Sequence, residues 1–367
     1  MKDVFLLAGA RPNFIKIAPL DAALRRRGIS TTLVHTGQHY DAKMSDVFFR
    51  DLGIPEPHVH LGIGPGDRHA QTKRIMDALV PLLRERKPDA LLVVGDVTST
   101  AAGAMAGVAA GVHVIHVEAG LRSFNWRMPE ELNRMIADHH ASLLFASEPV
   151  ALEHLSAERI PSEKVHLVGN VMIDSLRRIE PVAAASDMLA RLGLSEKTYG
   201  VLTLHRPENV DDPVVFRNLW ETIHIVADRL PLVFPVHPRT KSRIESLGLA
   251  SHADVRMIDP VGYVEMIALL RSAKGILTDS GGLQEEAYGL NIPCLTLRGE
   301  TERPLTVEQG TSEIVGTSRD RIMDAFDRLM SGAWKTPTPY ELWDGHTAER
   351  IADIIERTVF PPMTDTP

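Results

Sequence analysis

The sequence has 367 residues, of which 44% are hydrophobic and 24% charged, and its formal net charge is −8. This length favours two domains, and this composition is typical of globular proteins rather than disordered or membrane proteins. The negative charge and the lack of a basic run argue against a nucleic-acid surface. No stretch reaches the roughly 18 apolar residues that a membrane helix needs, and the N-terminus lacks a secretory cleavage pattern. We therefore expect a cytoplasmic protein without a membrane partner.

The first half alternates short β-branched runs with longer amphipathic segments, which predicts a parallel sheet wrapped by helices. The predicted strands are VFLLAG, TTLVHT, ALLVVG, VHVIHVE and SLLFAS. Helical patterns such as FIKIAPLDAALRRRG, which ends at Gly28, lie between them. We assign residues 1–172 to a doubly wound N-terminal domain.

The same pattern restarts in the second half. The strands GVLTLH, LVFPVH, VRMID, GILTDS and CLTLR alternate with helical segments such as VVFRNLWETIHIVADRL and YVEMIALLRSA. We assign residues 173–345 to a C-terminal doubly wound domain, and residues 346–367 to a closing helix with a loose, proline-rich tail. The predicted fold class is α/β with two doubly wound domains.

Charged and polar residues recur directly after the predicted strands, where open α/β sheets bind their ligands. We interpret this edge as functional, because solvated loop tips rarely carry such residues so consistently. The residues are Arg11, with Lys16 one turn later, Asp96, Glu118, His205, Arg206, His237 and the run from Asp279 to Gly282.

The segment TDSGGLQEEAYG predicts a phosphate site at the start of a helix. Ser280 can cap the helix, while Gly281 and Gly282 let a phosphate approach the first backbone N–H groups. A tight glycine turn made only for packing is the alternative. Glu285 and Glu286 fit either simple complementarity with the helix dipole or a bidentate acceptor for ribose hydroxyls, and the segment alone leaves both open.

Several cofactor signatures are missing. GARPNF is not GxGxxG, and nothing matches GxxxxGK[ST], so the sequence supports neither NAD nor ATP hydrolysis, and we predict no cofactor. His35 and His39 lie at a strand end and its loop, and no HExxH or paired CxxC exists, so we predict no metal. The single cysteine, Cys294, is interpreted as a core strand residue.

Nine segments, in order and spanning about residues 9–311, together resemble the non-hydrolysing UDP-N-acetylglucosamine (UDP-GlcNAc) 2-epimerases. They are GARPNFIKIAPL, TGQHYD, GDVTST, HVEAGLRS, MPEELNR, LHRPEN, PVHP, TDSGGLQEEA and TERPLTVEQGT. The resemblance implies a GT-B architecture, with the active site in a cleft between two Rossmann-like domains, and it favours a homodimer. The implied substrate is a UDP-sugar.

The resemblance also implies roles for individual residues. The catalytic carboxylates fall on Asp96, Glu118 and Glu130, and the catalytic histidine on His205. The remaining implied positions are Arg11, Ser280 and Gly282 for the diphosphate, Glu286 for the ribose and Lys16 as a further charged group. To the substrate-binding set we add three strand-end residues, Arg206, His237 and Gly281. The implied reaction inverts C2 of UDP-GlcNAc through elimination of UDP.

Three departures from the family pattern affect finer expectations. Val97 replaces a threonine in the usual GDTTT, which predicts an altered local hydrogen bond. Gln38 and Gln71 are candidate residues of a second, allosteric sugar-nucleotide site, but Ala70 stands where an arginine is usual, which puts allostery in doubt. Leu121 stands where relatives acting on 3-acetamido uronic acids tend to have asparagine, which favours plain UDP-GlcNAc.

Four other functions stay open at this point. They are an epimerase for a modified UDP-sugar, a hydrolysing epimerase that releases N-acetylmannosamine, a GT-B glycosyltransferase and a non-catalytic sugar-nucleotide sensor. A transferase or a sensor has no need for three carboxylates, which argues against both.

Overall fold

The structure of the protein is a computed structural model that describes residues 2–37 and 53–361. The chain divides into two compact units. The first comprises Met1–Ser175 with Glu341–Pro367, and the second comprises Leu176–Tyr340. Gln38, His39 and the predicted loose tail beyond residue 361 lie outside the described residues.

The first unit contains a seven-stranded parallel sheet in the order β3-β2-β1-β4-β5-β6-β7. Its strands are β1 (Asp3–Ala8), β2 (Ser30–His35), β3 (Val59–His60), β4 (Ala90–Val94), β5 (His113–Ala119), β6 (Leu143–Ala146) and β7 (Val165–Leu167). Helices lie between the strands: α1 (Arg11–Arg26), α2 (Arg68–Arg86), α3 (Thr98–Ala110), α4 (Pro129–His140) and α5 (Pro149–Ala157). All five residues of β4 are buried, as expected for a parallel strand covered on both faces.

The second unit contains a six-stranded parallel sheet in the order β10-β9-β8-β11-β12-β13. Its strands are β8 (Gly200–Thr203), β9 (Leu232–Pro235), β10 (Val255–Ile258), β11 (Gly275–Thr278), β12 (Cys294–Thr296) and β13 (Ser312–Ile314). The helices are α7 (Met188–Arg191), α8 (Pro207–Val210), α9 (Pro213–Ala227), α10 (Pro238–Ser246), α11 (Tyr263–Ser272), α12 (Gly281–Leu290), α13 (Pro304–Glu308) and α14 (Arg319–Ser331). Helix α6 (Val171–Ala184) contains the division between the units.

The last helix, α15 (Thr347–Val359), packs in the first unit against α1. Its first turn is capped by Asp174, whose carboxylate accepts hydrogen bonds from the backbone N–H groups of Thr347 (3.1 Å) and Ala348 (2.6 Å). Ile351 and Ile355 on its inner face are fully buried. In the part of the chain that the structure describes, no helix is long and apolar enough to cross a membrane.

The predicted α/β class is confirmed, and all ten predicted strands are present. Three further strands, β3, β7 and β13, were not predicted. Each has two or three residues and lies at a sheet edge, so its sequence carries too little hydrophobic pattern to be recognised. Cys294 is fully buried in β12, which confirms its interpretation as a core residue.

Candidate active site

In each sheet the strand order reverses between two neighbouring strands, β1 and β4 in the first unit and β8 and β11 in the second. Ligands of open α/β sheets bind beyond the carboxyl ends of the strands at such a switch point. Arg11 and Asp96 follow β1 and β4, whereas His205 and Ser280 follow β8 and β11. Each group of predicted residues therefore lies at the switch point of its own unit.

The turn between β1 and α1 is fixed by Asn13. Its side-chain oxygen accepts hydrogen bonds from the backbone N–H groups of Gly9 (3.1 Å) and Ala10 (3.0 Å). Its amide donates to the carbonyl of Val94 at the end of β4 (3.1 Å). This bridge joins the two switch-point strands, and it leaves Arg11, the first residue of α1, exposed.

Lys16 and Glu118 form a buried ion pair between Nζ and Oε2. The two residues are 6% and 5% exposed, so the ammonium offsets a carboxylate that water does not solvate. Glu118 has a φ of 72°, which is unusual for a residue other than glycine and is typical of functional sites. A Cβ atom on Gly95, whose φ is 66°, would lie 3.2 Å from Lys16 Nζ. A glycine at this position therefore leaves room for the ion pair.

Asp96 is held by helix α4. Its Oδ2 atom lies 2.5 Å from Arg134 Nη1, and its backbone carbonyl accepts a hydrogen bond from Asn133 Nδ2 (2.8 Å). Arg134 also pairs with Glu131 at 2.7 Å. Glu130, the second residue of α4, is partly exposed, and within residues 2–37 and 53–361 its side chain makes no hydrogen bond or ion pair.

In the second unit His205 is oriented by Asp279. His205 Nδ1 lies 2.9 Å from Asp279 Oδ1, and the backbone N–H groups of His205 (3.0 Å) and Arg206 (2.9 Å) donate to Asp279 Oδ2. Burial favours a higher pKa for Asp279, but the hydrogen bond and charge of His205 outweigh it, and the pKa lies below its usual value. The ring of His205 is 43% exposed with Nδ1 occupied, so its Nε2 is the nitrogen left to contact a ligand.

His237 lies near His205, with ring centroids 6.5 Å apart. It is the N-cap of α10, where its Nδ1 accepts a hydrogen bond from the backbone N–H of Arg239 (3.2 Å). Two histidines that were predicted from their positions directly after strands therefore lie close together at the carboxyl ends of β8 and β9.

The glycine turn before α12 has two different glycines. Ser280 is the N-cap, with its Oγ accepting from Leu283 N–H at 3.5 Å, which confirms the predicted cap. A Cβ atom on Gly281 would lie 2.7 Å from both Arg303 Nη1 and Glu302 Oε1, so a side chain there would have to displace this buried ion pair. Among residues 2–37 and 53–361, a Cβ atom on Gly282 would meet only Ser280 Oγ, at 4.0 Å. Packing therefore disfavours a side chain at Gly281, whereas the described residues leave room for one at Gly282.

Glu285 and Glu286 are both buried, but their surroundings differ. Glu285 Oε1 pairs with Arg303 Nε at 2.9 Å, so it belongs to an internal ion pair. Burial and the neighbouring charge of Glu285 raise the pKa of Glu286 to about 8, although a hydrogen bond with Tyr263 opposes the rise. Among the described residues no cation pairs with the carboxyl group of Glu286, so Glu286 is the better candidate for a ligand acceptor.

A sequence model of the UDP-N-acetylglucosamine 2-epimerase family matches residues 22–356. The chain belongs to this family. UDP-N-acetylglucosamine 2-epimerase of Methanocaldococcus jannaschii is 37% identical over 361 residues, which are 95% of this chain and 98% of the relative. UDP-2,3-diacetamido-2,3-dideoxy-D-glucuronate 2-epimerase of Pseudomonas aeruginosa is 42% identical over 358 residues, which are 96% and 99% of the two chains.

Solved structures agree with this membership. The crystal structure of the Methanocaldococcus jannaschii UDP-GlcNAc 2-epimerase in complex with UDP-GlcNAc and UDP has a TM-score of 0.88 at 38% identity, covering 97% of this chain and 99% of that one. The co-structure of Staphylococcus aureus MnaA with UDP has a TM-score of 0.87 at 31% identity and covers 100% and 99%. The family resemblance and the GT-B-like two-domain fold are confirmed, and this family consists of isomerases.

Several residues whose side chains fix the predicted site residues or their turns in place were not themselves predicted from the sequence. The quoted segments GARPNF, MPEELNR and TERPL contain Asn13, Asn133, Arg134 and Arg303. The family resemblance rested on these segments but gave these four residues no role. Their importance comes from long-range contacts, such as those of Arg134 with Asp96, 38 positions away.

Three further positions were singled out from the sequence, Gln71, Leu121 and Val97. Gln71 is buried in α2, and its side-chain amide donates to the carbonyl of Gly64 (3.0 Å). Leu121 is 1% exposed, and so it is a core residue. Val97 is the N-cap of α3 and makes no side-chain cap hydrogen bond, which a threonine could provide. No group of three or more His, Cys, Asp or Glu side chains that could hold a metal occurs among the described residues.

Proposed function

We propose that this protein is a non-hydrolysing epimerase that interconverts UDP-GlcNAc and UDP-N-acetylmannosamine (UDP-ManNAc). The observation that carries the proposal is the pairing of Lys16 with Glu118 and of Arg134 with Asp96 at one switch point. This arrangement places carboxylates, offset by cations, where a parallel sheet binds its ligand. Family membership supports the same reaction.

The proposed chemistry is elimination and re-addition. A carboxylate removes the C2 proton while the C1–O bond breaks, and the bonding electrons leave with UDP. The products are 2-acetamidoglucal and UDP. In the second half-reaction UDP attacks C1 while another acid delivers a proton to the opposite face of C2. Asp96, Glu118 and Glu130 share these acid and base roles, because the two half-reactions transfer the proton on opposite faces of C2 and so need different groups.

The second unit holds UDP in this proposal. The backbone N–H groups at the start of α12, from Gly281 and Gly282, meet the diphosphate at the positive end of the helix dipole. Glu286 accepts hydrogen bonds from the ribose hydroxyls. His205, Arg206 and Arg11 offset the charge that develops on departing UDP, and His237 and Ser280 complete the binding set.

A modified sugar is the second candidate. The relative from Pseudomonas aeruginosa that is 42% identical to this chain is named as an epimerase of UDP-2,3-diacetamido-2,3-dideoxy-D-glucuronate. The same C2 chemistry would serve that substrate, so the carboxylate set does not distinguish the two sugars.

Anion-exchange chromatography of separate incubations tests both candidates. We expect UDP-GlcNAc and UDP-ManNAc each to give the same mixture of the two, while UDP-2,3-diacetamido-glucuronate stays unchanged. Turnover of the uronate alone would establish the second candidate instead. Release of free N-acetylmannosamine and UDP would show a hydrolysing enzyme and contradict the proposal.

We further propose that the protein acts as a cytoplasmic homodimer. Family membership supports both statements. Light scattering during size-exclusion chromatography should give twice the mass of the chain, and a mass equal to that of one chain would contradict the dimer.

A further inference from the structure

We infer that Arg134 is the positioning residue for the C2 chemistry, acting through Asp96 rather than on the substrate. This inference rests on the proposed function. Arg134 is 2% exposed and is the largest of the fully buried side chains in the described part of the chain. Its two terminal nitrogens contact two different carboxylates, Asp96 at 2.5 Å and Glu131 at 2.7 Å.

Helix α4 holds Asp96 at two points. Arg134 fixes the carboxylate, and the preceding residue, Asn133, fixes the backbone carbonyl at 2.8 Å. Glu130, a proposed catalytic residue, lies on the same helix one turn before Arg134. Because residues four apart lie on one face of a helix, α4 presents one proposed catalytic carboxylate and holds a second.

Glu131 serves as the fixed anchor for Arg134. Its oxygens accept hydrogen bonds from Ser123 N–H, Ser123 Oγ and Phe124 N–H, each at 2.9 Å. Burial favours a higher pKa for Glu131, but these hydrogen bonds and Arg134 outweigh it, so the pKa is lowered. The ionised form of Glu131 is therefore stabilised, and both of its oxygens are already in use. It is 1% exposed, whereas the side chain of Asp96 is 24% exposed.

The anchor also holds a strained turn. Phe124 has a φ of 56°, a conformation that residues other than glycine rarely adopt. The carboxylate of Glu131 accepts hydrogen bonds from the consecutive backbone N–H groups of Ser123 and Phe124 and keeps this turn in place. Arg134 therefore links the strained turn to Asp96 through two ion pairs, and it fixes the orientation of the partly exposed Asp96 carboxylate.

The matched control is Arg122. It is 3% exposed and, like Arg134, pairs with two carboxylates, Asp138 and Glu158, both at 2.7 Å. It makes no hydrogen bond or ion pair with any of the proposed catalytic residues, all of which lie in the described part of the chain. Lysine in place of either arginine keeps the charge but loses the planar fork that binds two carboxylates. Both variants should therefore lose similar stability, but only the lysine variant of Arg134 should lose catalytic turnover.

The experiment compares R134K with R122K for melting temperature, kcat and the Kd for UDP. We expect R134K to lower kcat by about 10- to 100-fold, because a shift of about 1 Å in a reacting group has an effect of that size. The Kd for UDP should stay within about twofold of wild type. R122K should keep kcat within about threefold, at a similar loss of melting temperature. An unchanged kcat in R134K, or an equal loss in R122K, would overturn the inference.

A double-variant cycle tests whether Arg134 acts through Asp96. R134K should lower kcat in the wild-type background but change it by less than about threefold in the D96N background, because the carboxylate it orients is gone. Equal losses in both backgrounds would overturn the inference. If R134K does not fold, N133A removes the second contact to Asp96 and should also lower kcat without changing UDP binding. If the wild-type protein catalyses no exchange of the C2 proton of the sugar, that result would instead contradict the proposed function itself.

Discussion

The Nδ1 atom of His205 lies 2.9 Å from the Oδ1 atom of Asp279, a carboxylate with no exposed surface. Asp279 also accepts hydrogen bonds from two backbone N–H groups of the same turn and from Asn209 Nδ2 at 3.2 Å. One buried carboxylate thus fixes both the turn after β8 and the ring of His205. We expect the proposed role of His205 to depend on it.

Replacing Asp279 with asparagine should lower kcat by about 10- to 100-fold, because hydrogen bonds to a charged group contribute about 1.5–3 kcal/mol each. The measurement is the initial rate of UDP-GlcNAc epimerisation. In an H205N background the same replacement should cost less than about threefold, since the ring that it orients is absent. A full loss in that background would show that Asp279 acts independently of His205.

Asp279 should also affect stability in a pH-dependent way. Its pKa is lowered from 3.8, so its contribution is present above that pH and is lost as the pH falls through the lower, folded-state value. The melting temperature of D279N should therefore lie furthest below that of wild type near pH 7, and the gap should narrow below about pH 3.8. A gap that stays constant down to pH 3 would contradict this.

Replacing Lys16 with methionine leaves Glu118 buried without its cation. Breaking a buried pair from one side typically costs about 3–5 kcal/mol, so K16M should unfold at a markedly lower urea concentration. The double variant K16M/E118Q should regain most of that stability while staying inactive, because the proposed acid–base group is missing. A double variant as unstable as K16M would show that the pairing does not account for the loss.

The two glycines before α12 should respond differently to alanine. G281A should lower the melting temperature, since its Cβ atom would lie 2.7 Å from Arg303 and Glu302. G282A should keep the wild-type melting temperature, since among the described residues its Cβ atom would meet only Ser280 Oγ, at 4.0 Å. If the diphosphate binds there, G282A should still weaken UDP binding by about tenfold or more in calorimetry, because an added methyl blocks the backbone N–H groups. Wild-type affinity in G282A would place the diphosphate elsewhere.

Replacing Glu286 with glutamine should change how stability depends on pH. The pKa of Glu286 is raised from 4.5 to about 8, so the folded state disfavours its ionised form, and stability present below pH 4.5 is lost as the pH rises through 8. Glutamine cannot ionise. The melting temperature of unliganded E286Q minus that of unliganded wild type should therefore be about 5 °C higher at pH 9 than at pH 5. A difference that does not change with pH would contradict the burial argument.

The sequence predicted the long strands because a strand buried on both faces is a continuous apolar run, as ALLVV shows. It could not predict the pairing of β1 with β4 or of β8 with β11, which depends on contacts between distant segments. The site residues were predicted from strand ends and from family resemblance. The switch-point geometry that groups them comes only from the fold.

The interpretation of Glu285 and Glu286 shows where sequence reasoning stops. The local pattern of adjacent glutamates fits two roles equally well, and the family resemblance alone pointed to Glu286. The contact of Glu285 with Arg303 is the physical difference between them, and it is visible only in the fold. Arg134 shows the same limit, since nothing in its local sequence indicates that it binds Asp96. Side chains that fix site residues in place have this role because of long-range contacts in the fold. The local sequence around them therefore resembles that of any helix.

Proton NMR of UDP-GlcNAc with the enzyme in deuterated water tests the central proposal most directly. Elimination through C2 deprotonation predicts that UDP-ManNAc appears, that deuterium replaces the C2 proton in both sugars and that no free sugar forms. An unchanged substrate that keeps its C2 proton would contradict the assignment of UDP-GlcNAc as the substrate.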